Sequence, residues 1–265
     1  MEETTMKFGA MNNPVEPLGP QIELFARMGF DFLDLTVEEP AAGPHRDDWP
    51  LTKRILNDSG LGVVGHTGPY LPIANPSLRV RQAAWDELKS SVDIASFMGA
   101  QVCTMHFLRW NSFVPFEDGV EMYVEGLFDL TVHGRDRGVR IAIENSPHNE
   151  HQLKPLREIL HRVPGLGLLY DIGHGNVQTQ RSLTEDYLFD LRDRLVHVHL
   201  SDNNGLEDSH LPPGAPKSGG LNVPKEFRSL RNFNYDGTVT LEVFGQRMWL
   251  NASLNYVKKV VASLP

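Results

Sequence analysis

Short apolar runs recur along the chain at regular intervals, and each breaks off at a polar side chain. Strand-like runs are read at Lys7–Met11, Phe32–Val37, Leu61–His66, Gln101–His106, Val139–Glu144, Leu166–Asp171, Leu195–Leu200 and Gly237–Val243. Between them the apolar period lengthens to that of a helix. Pro17–Met28 lines up Leu18, Ile22, Phe25 and Met28, and Gly29 closes it. Ser77–Met98 is the longest such segment, with Ser77 as N-cap and Gly99 at its end. Glu117–Arg137, His151–Val163, Leu183–Leu191, Val223–Asn232 and Trp249–Ser263 follow the same pattern. Strict alternation implies parallel strands joined by helical crossovers. Eight repeats imply a closed (β/α)8 TIM barrel, read as a single domain over residues 1–265. An open doubly wound sheet is the alternative. It wants a glycine-rich turn after the first strand, and Gly9-Ala10-Met11-Asn12-Asn13 lacks one.

The endings of the runs carry the chemistry. Six of them stop at His66, His106, Glu144, Asp171, His199 and Glu242. One such ending is ordinarily a satisfied surface residue, but the C-terminal strand ends of a barrel converge on one face. Three more candidates sit in loops: His174, in an Asp-x-x-His spacing after Asp171, and the pair Asp208 and His210. That pair lies in the long irregular stretch Ser201–Asn222 after the seventh strand, the kind of loop that often forms part of an active site. Mixed carboxylate and imidazole donors suit a divalent metal ion, Mn²⁺ or Zn²⁺ first, with Co²⁺, Fe²⁺ and Mg²⁺ as alternatives. The most economical site is Glu144, Asp171, His199 and Glu242, from four neighbouring strands. Two glutamates beside a metal-held substrate can also exchange protons with carbon, which makes Glu144 and Glu242 the expected catalytic acid/base pair. His66, His106, His174, Asp208 and His210 are expected to bind substrate or further metal. His197 shares a strand face with His199 and is read one layer deeper, as a supporting residue. His45, His133, His148, His151 and His161 are read as structural or solvated.

Composition narrows the partners. The formal net charge of −9 argues against nucleic acid, whose binders usually present a basic surface. No apolar run approaches the roughly 18 residues of a membrane span. The acidic start, Met1-Glu2-Glu3, does not read as a signal peptide, and the single cysteine, Cys103, is expected to be a buried thiol in a cytoplasmic protein. A homo-oligomer is left open. Phe8, Tyr70, Phe107 and Trp110 lie near strand ends as candidates for an apolar wall of the site, with core or helix packing as the alternative for each. Lys217 and Arg247 are candidate phosphate contacts.

Ile143-Glu144-Asn145, Tyr170-Asp171-Ile172-Gly173-His174, His197-Val198-His199-Leu200-Ser201-Asp202 and Leu241-Glu242-Val243 resemble the xylose isomerase-like TIM-barrel superfamily. The likeness covers nearly the whole chain. It implies a divalent-metal-dependent isomerase or epimerase acting on a small sugar or sugar phosphate. In the superfamily's ketose 3-epimerases, Glu, Asp, His and Glu hold one metal. These map onto Glu144, Asp171, His199 and Glu242, with the glutamates transferring protons through a metal-stabilised enediolate and His174 matching a substrate-binding His. Those enzymes often carry an Arg in the loop after strand seven, where this chain has His210. The alternative within the superfamily is an endonuclease IV-like phosphodiesterase with a trinuclear site, for which all nine candidates have counterparts. Against it, Asp171 is followed by Ile172-Gly173-His174-Gly175 and not by that family's Thr-Cys-His context.

Overall fold

The structure is a computed structural model that describes residues 6–147 and 153–264. The expected positions His148 and His151 lie outside the described residues.

Eight parallel strands close into a barrel in sequence order. They are β1 (Lys7–Met11), β2 (Phe32–Val37), β3 (Gly62–Thr67), β4 (Val102–His106), β5 (Arg140–Glu144), β6 (Gly167–Asp171), β7 (Leu195–Leu200) and β8 (Thr238–Leu241). Around them lie α1 (Leu18–Met28), α2 (Trp49–Ser59), α3 (Leu78–Met98), α4 (Phe116–Arg135), α5 (Leu153–Arg162), α6 (Thr184–Leu191), α7 (Val223–Asn232) and α8 (Arg247–Ser263). The expected (β/α)8 architecture is therefore observed. Gly29 and Gly99 close α1 and α3 in the left-handed conformation, φ 83° and 102°, which only glycine adopts without strain. Ser77 holds the N-cap position of α3 but makes no side-chain capping bond.

The helix missed by periodicity is α2. It buries a thin face of Trp49, Thr52 and Leu56, too narrow to stand out from its polar surroundings. Two boundaries also differ in ways that matter. β8 ends at Leu241, so Glu242 sits one residue past the ladder, although its backbone N–H still donates to the Leu200 carbonyl at 3.1 Å. α8 begins at Arg247, which is therefore a helix-start residue and not a loop residue.

The apolar core occupies the layer between barrel and helices, where Phe25, Leu88, Leu127, Ile159, Phe227 and Val257 are buried. The lumen is different. Period-two alternation turns Asp34, Thr104, His197, His199 and Thr240 inward, and all five are 0% exposed. Phe32 packs edge-on against the His197 ring, centroids 5.8 Å apart, closing the floor beneath these polar groups. Gly9 on β1 makes room for it, because a Cβ there would lie 2.2 Å from the Phe32 ring.

Candidate metal centre

Parallel pairing lifts successive strand ends to one rim. Asp171 pairs with His199 across β6 and β7, and His106 with Glu144 across β4 and β5. Glu144, Asp171, His199 and Glu242 thus end four consecutive strands, and one ligand atom from each lies within 4.8 Å of the others. His199 Nδ1 is central, at 3.1 Å from Glu242 Oε2, 3.5 Å from Glu144 Oε1 and 4.0 Å from Asp171 Oδ2. All four side chains are buried.

Three buried carboxylates in one contact cluster repel one another, and burial adds a large solvation cost. Burial pushes the Asp171 carboxyl up to about 6, with the Glu242 and Glu144 charges adding to it against the pull of His174. Burial also penalises the Glu144 anion, but His106, His199 and His174 together hold its carboxyl below the usual range. Both Glu144 oxygens and Asp171 Oδ2 are buried without a hydrogen-bond partner among the described residues. A hard cation among these oxygens satisfies them and offsets the repulsion, and the single imidazole nitrogen completes a mixed donor set. The residues present fit a divalent metal.

The remaining candidates surround this quartet. His106 Nε2 lies 3.4 Å from Glu144 Oε2. The His66 ring stacks on His199 at 5.3 Å, and its Nδ1 shares a 2.7 Å hydrogen bond with Thr104 Oγ1. Burial, reinforced by the nearby His106 charge, lowers the His66 pKa to about 4, so its imidazole is neutral. On the opposite side His174 Nε2 and His210 Nε2 each approach Asp208 Oδ2 at 3.1 Å. The structure thus brings all nine sequence candidates to one rim.

Two residues essential to the geometry were not singled out by sequence. Asp34 Oδ2 accepts from Thr240 Oγ1 at 2.6 Å, and lies 3.0 Å from His199 Nε2 and 3.2 Å from His197 Nε2. A carboxylate behind an imidazole fixes its tautomer and orientation, and here it aims His199 Nδ1 at the quartet. His197 shares that carboxylate one layer down, as its strand face implied. The available signal was a carboxylate inside the apolar run Phe32-Leu33-Asp34-Leu35. Asn145 is the second. Its amide donates to the Asp171 carbonyl at 3.0 Å and accepts from the Asp171 N–H at 2.7 Å, locking β6 to β5. Its own carbonyl faces His174 Nδ1 at 2.6 Å.

The long loop after β7 is pinned by Asp202, which accepts from the N–H groups of Asn203, Gly214 and Leu221. Those bonds hold Asp208 and His210 over the rim. His210 has φ 45°, a left-handed conformation unusual for a side chain of its size.

Beside the quartet opens a cavity of about 660 Å³. Its far wall comes from β1, β2, α1 and the start of α8, including Met11, Thr36, Glu38, Phe25 and Leu250. The expected aromatics do not line it. Phe8 packs on Phe227, Phe107 and Trp110 pack with Tyr123, and Tyr70 stands exposed. Phe244 takes that place, stacked on His210 with centroids 4.3 Å apart. Arg247 reaches the cavity but pairs with Glu16 at 2.9 Å, and Lys217 lies in an exposed turn away from it. Cys103 is buried, and burial pushes its thiol up to about 12. His45, His133 and His161 lie outside the rim; His45 and His133 contact Glu87 and Asp93, and His161 is exposed. Among the described residues no helix is long and apolar enough to cross a membrane.

A closed parallel barrel with a buried carboxylate–imidazole cluster at its C-terminal rim defines a TIM-barrel architecture built around a polar centre. The sequence profile of the xylose isomerase-like TIM barrel matches residues 22–260, and the chain belongs to that family. Uncharacterized protein MJ1311 of Methanocaldococcus jannaschii is 26% identical over 179 residues, 64% of this chain and 59% of that protein. The chain thus spans about three fifths of that relative's length. Fructoselysine 3-epimerase of Shigella flexneri is 23% identical over 188 residues, covering 69% of this chain and 66% of that enzyme. The solved structure of a D-tagatose 3-epimerase-like protein superposes with a TM-score of 0.84 at 23% identity, covering 97% of both chains. That likeness speaks to the fold.

Proposed function

We propose that the chain is a divalent-metal-dependent epimerase or isomerase of a small sugar. The observation that carries this reading is the quartet itself: three buried carboxylates and one imidazole, with buried carboxylate oxygens that have no hydrogen-bond partner among the described residues. Glu144, Asp171, His199 and Glu242 would hold the ion, Mn²⁺ or Zn²⁺ first by donor type. A divalent ion bound there polarises a substrate carbonyl and acidifies the neighbouring C–H. Glu144 and Glu242 sit at the two ends of the arc from β5 to β8. That separation suits removal of a carbon-bound proton by one carboxylate and return of a proton by the other. Return to the opposite face of the carbon inverts it. His174 would help orient the substrate from beside Glu144, its Nδ1 3.6 Å from Glu144 Oε1. The named relatives support the reading, since those with a stated activity are epimerases of sugars or their derivatives.

The test is solvent exchange. Mn²⁺-loaded protein is incubated in D₂O with D-fructose, D-psicose, D-tagatose and L-ribulose, and each sugar is followed by NMR. The expected result is deuterium at one carbon-bound position of a sugar in the panel, lost in Glu144→Gln. Undiminished exchange in that variant removes Glu144 as a base, and no exchange with any sugar in the wild type removes the reading.

One observation favours a second reading, a phosphodiesterase with three metals. His174 Nδ1 faces the Asn145 carbonyl at 2.6 Å and His210 Nδ1 faces the Glu242 carbonyl at 3.2 Å, so both Nε2 atoms turn toward Asp208. This is how imidazoles are oriented for ligation through Nε2. Metal analysis separates the two: about one ion per chain supports the epimerase, three support hydrolysis.

A further inference from the structure

β2 sends alternate side chains inward at three depths. Asp34 lies deepest, behind His199. Thr36 comes next and lines the cavity, as does Glu38 just beyond the strand end. Thr36 is 3% exposed, and its Oγ1 is buried with no hydrogen-bond partner among the described residues. Its backbone is already consumed: Asn12 Oδ1 accepts from the Thr36 N–H at 2.8 Å, and Asn12 Nδ2 donates to the Thr36 carbonyl at 3.3 Å. The hydroxyl is therefore the spare group at that position. Glu38 has no ion-pair or hydrogen-bond partner for its carboxylate among the described residues, and burial pushes its carboxyl up. In a barrel of eight strands β2 stands across the lumen from β6, so these two groups oppose the quartet. The other charged groups on the cavity wall are Glu16, Asp208, Glu242, Arg247 and the His174 and His210 imidazoles; Arg247 pairs with Glu16, and both imidazoles pair with Asp208. A buried hydroxyl and a lone carboxylate recognise O–H groups, whereas a phosphate facing them meets the like charge of Glu38, and the cations of the wall are already paired with Asp208 and Glu16.

We propose that Thr36 and Glu38 form the specificity wall of the cavity: they bind the hydroxyls of the sugar end farthest from the quartet and restrict the site to unphosphorylated sugars. This rests on the reading of the chain as a sugar epimerase or isomerase, and it is tested by binding, not by turnover.

Isothermal titration of the Mn²⁺-loaded protein compares D-fructose, D-psicose and D-tagatose with their 6-phosphates. At least one free sugar is expected to bind at least about tenfold more tightly than its phosphate, the order one uncompensated like-charge contact supplies. Glu38→Gln should weaken the free sugar and shrink the gap, because it removes the repulsion. Thr36→Val, which keeps the shape of the side chain, should weaken the free sugar alone. Where circular dichroism shows that the buried Thr36 variant does not fold, Glu38→Gln decides by itself. A phosphate that binds as tightly as its free sugar, failure of all three free sugars to bind, or affinities unchanged in Glu38→Gln would overturn the proposal. Selective binding without proton exchange would leave the specificity wall standing and remove the epimerase reading.

Discussion

Across the mouth of the barrel, the rim from β5 to β8 and the rim from β1 to β3 are built on opposite electrostatic plans. The first ends in Glu144, Asp171, His199 and Glu242, four ionisable groups packed within 4.8 Å, whose carboxylates repel unless a cation joins them. The second ends in Asn12, Thr36 and Thr67, all buried and uncharged, with Glu38 beyond them. Asn12 spends its amide on the Thr36 backbone, and the Thr36 and Thr67 hydroxyls have no hydrogen-bond partner among the described residues. On the proposed reading, charge is concentrated where a metal and a proton transfer would need it, and the neutral Asn12 and Thr36 line the cavity where a substrate would be read. Asp34 crosses the divide: it belongs to β2, yet its carboxylate serves His199 on β7.

Four experiments probe this division. The largest effect is expected from Glu144→Gln, which on the proposed reading would remove a base and a ligand charge together. The rate constant at saturating metal and sugar should fall about 10²- to 10⁴-fold. A fall of less than tenfold would place proton transfer elsewhere. Next comes Asp34→Asn, which leaves the quartet's own donors in place and loosens the imidazole behind them. Its Mn²⁺ affinity, measured by titration calorimetry, should drop about 10- to 100-fold. An unchanged affinity would mean that the charged wall orients itself.

The third experiment uses pH on metal-free protein. Burial, with the His106 charge, depresses the folded His66 pKa from 6.5 to about 4. The unfolded chain then binds more protons in that window, so the His66 contribution is complete above pH 6.5 and is lost as pH falls toward about 4. Burial works against the His210 cation too, but Asp208, Glu242 and Asp171 outweigh it and raise its pKa from 6.5 to about 9. Its contribution is therefore complete below pH 6.5 and is lost as pH rises toward about 9. Urea unfolding should show both limbs, and His210→Asn should flatten the alkaline one. An alkaline limb unchanged in that variant would show that Asp208 does not hold His210 charged. The smallest effect is expected from Arg247→Ala at the outer rim. Its pair with Glu16 is 65% and 44% exposed, and water screens it. Stability should change by less than about 1 kcal/mol. A larger loss in chemical denaturation would mean that the pair braces the cavity wall.

Much of the candidate site was legible because a strand's polar ending is a local fact. His66, His106, Glu144, Asp171 and His199 follow apolar runs, and parallel alternation carries such endings to one rim. Glu242 was found in the same way although it lies just past β8. The facing wall of Thr36 and Glu38 was not legible. Thr36 sits inside a β2 run that is buried at every position, and Thr is a common strand residue. Glu38 follows Val37 and resembles the start of a surface loop. The expected aromatic wall went wrong for a related reason: Phe107 and Trp110 stand near strand ends but turn outward to pack around Tyr123. Direction relative to the lumen depends on the neighbouring elements.

The sequence by itself determined the repeat, the order of its strands and the convergence of polar endings, because periods of 2 and 3.6 are set by local backbone geometry. Only the tertiary structure decided which partners meet. Closure of the barrel brings β2 within hydrogen-bond reach of β7 and β8, so Asp34 finds His197, His199 and Thr240. The stagger of the ladder sets the depth of each side chain, and the Asp202 clasp sets the position of Asp208 and His210. Hydrogen bonds and ion pairs act over a few ångströms in space, and separation along the chain does not report that distance.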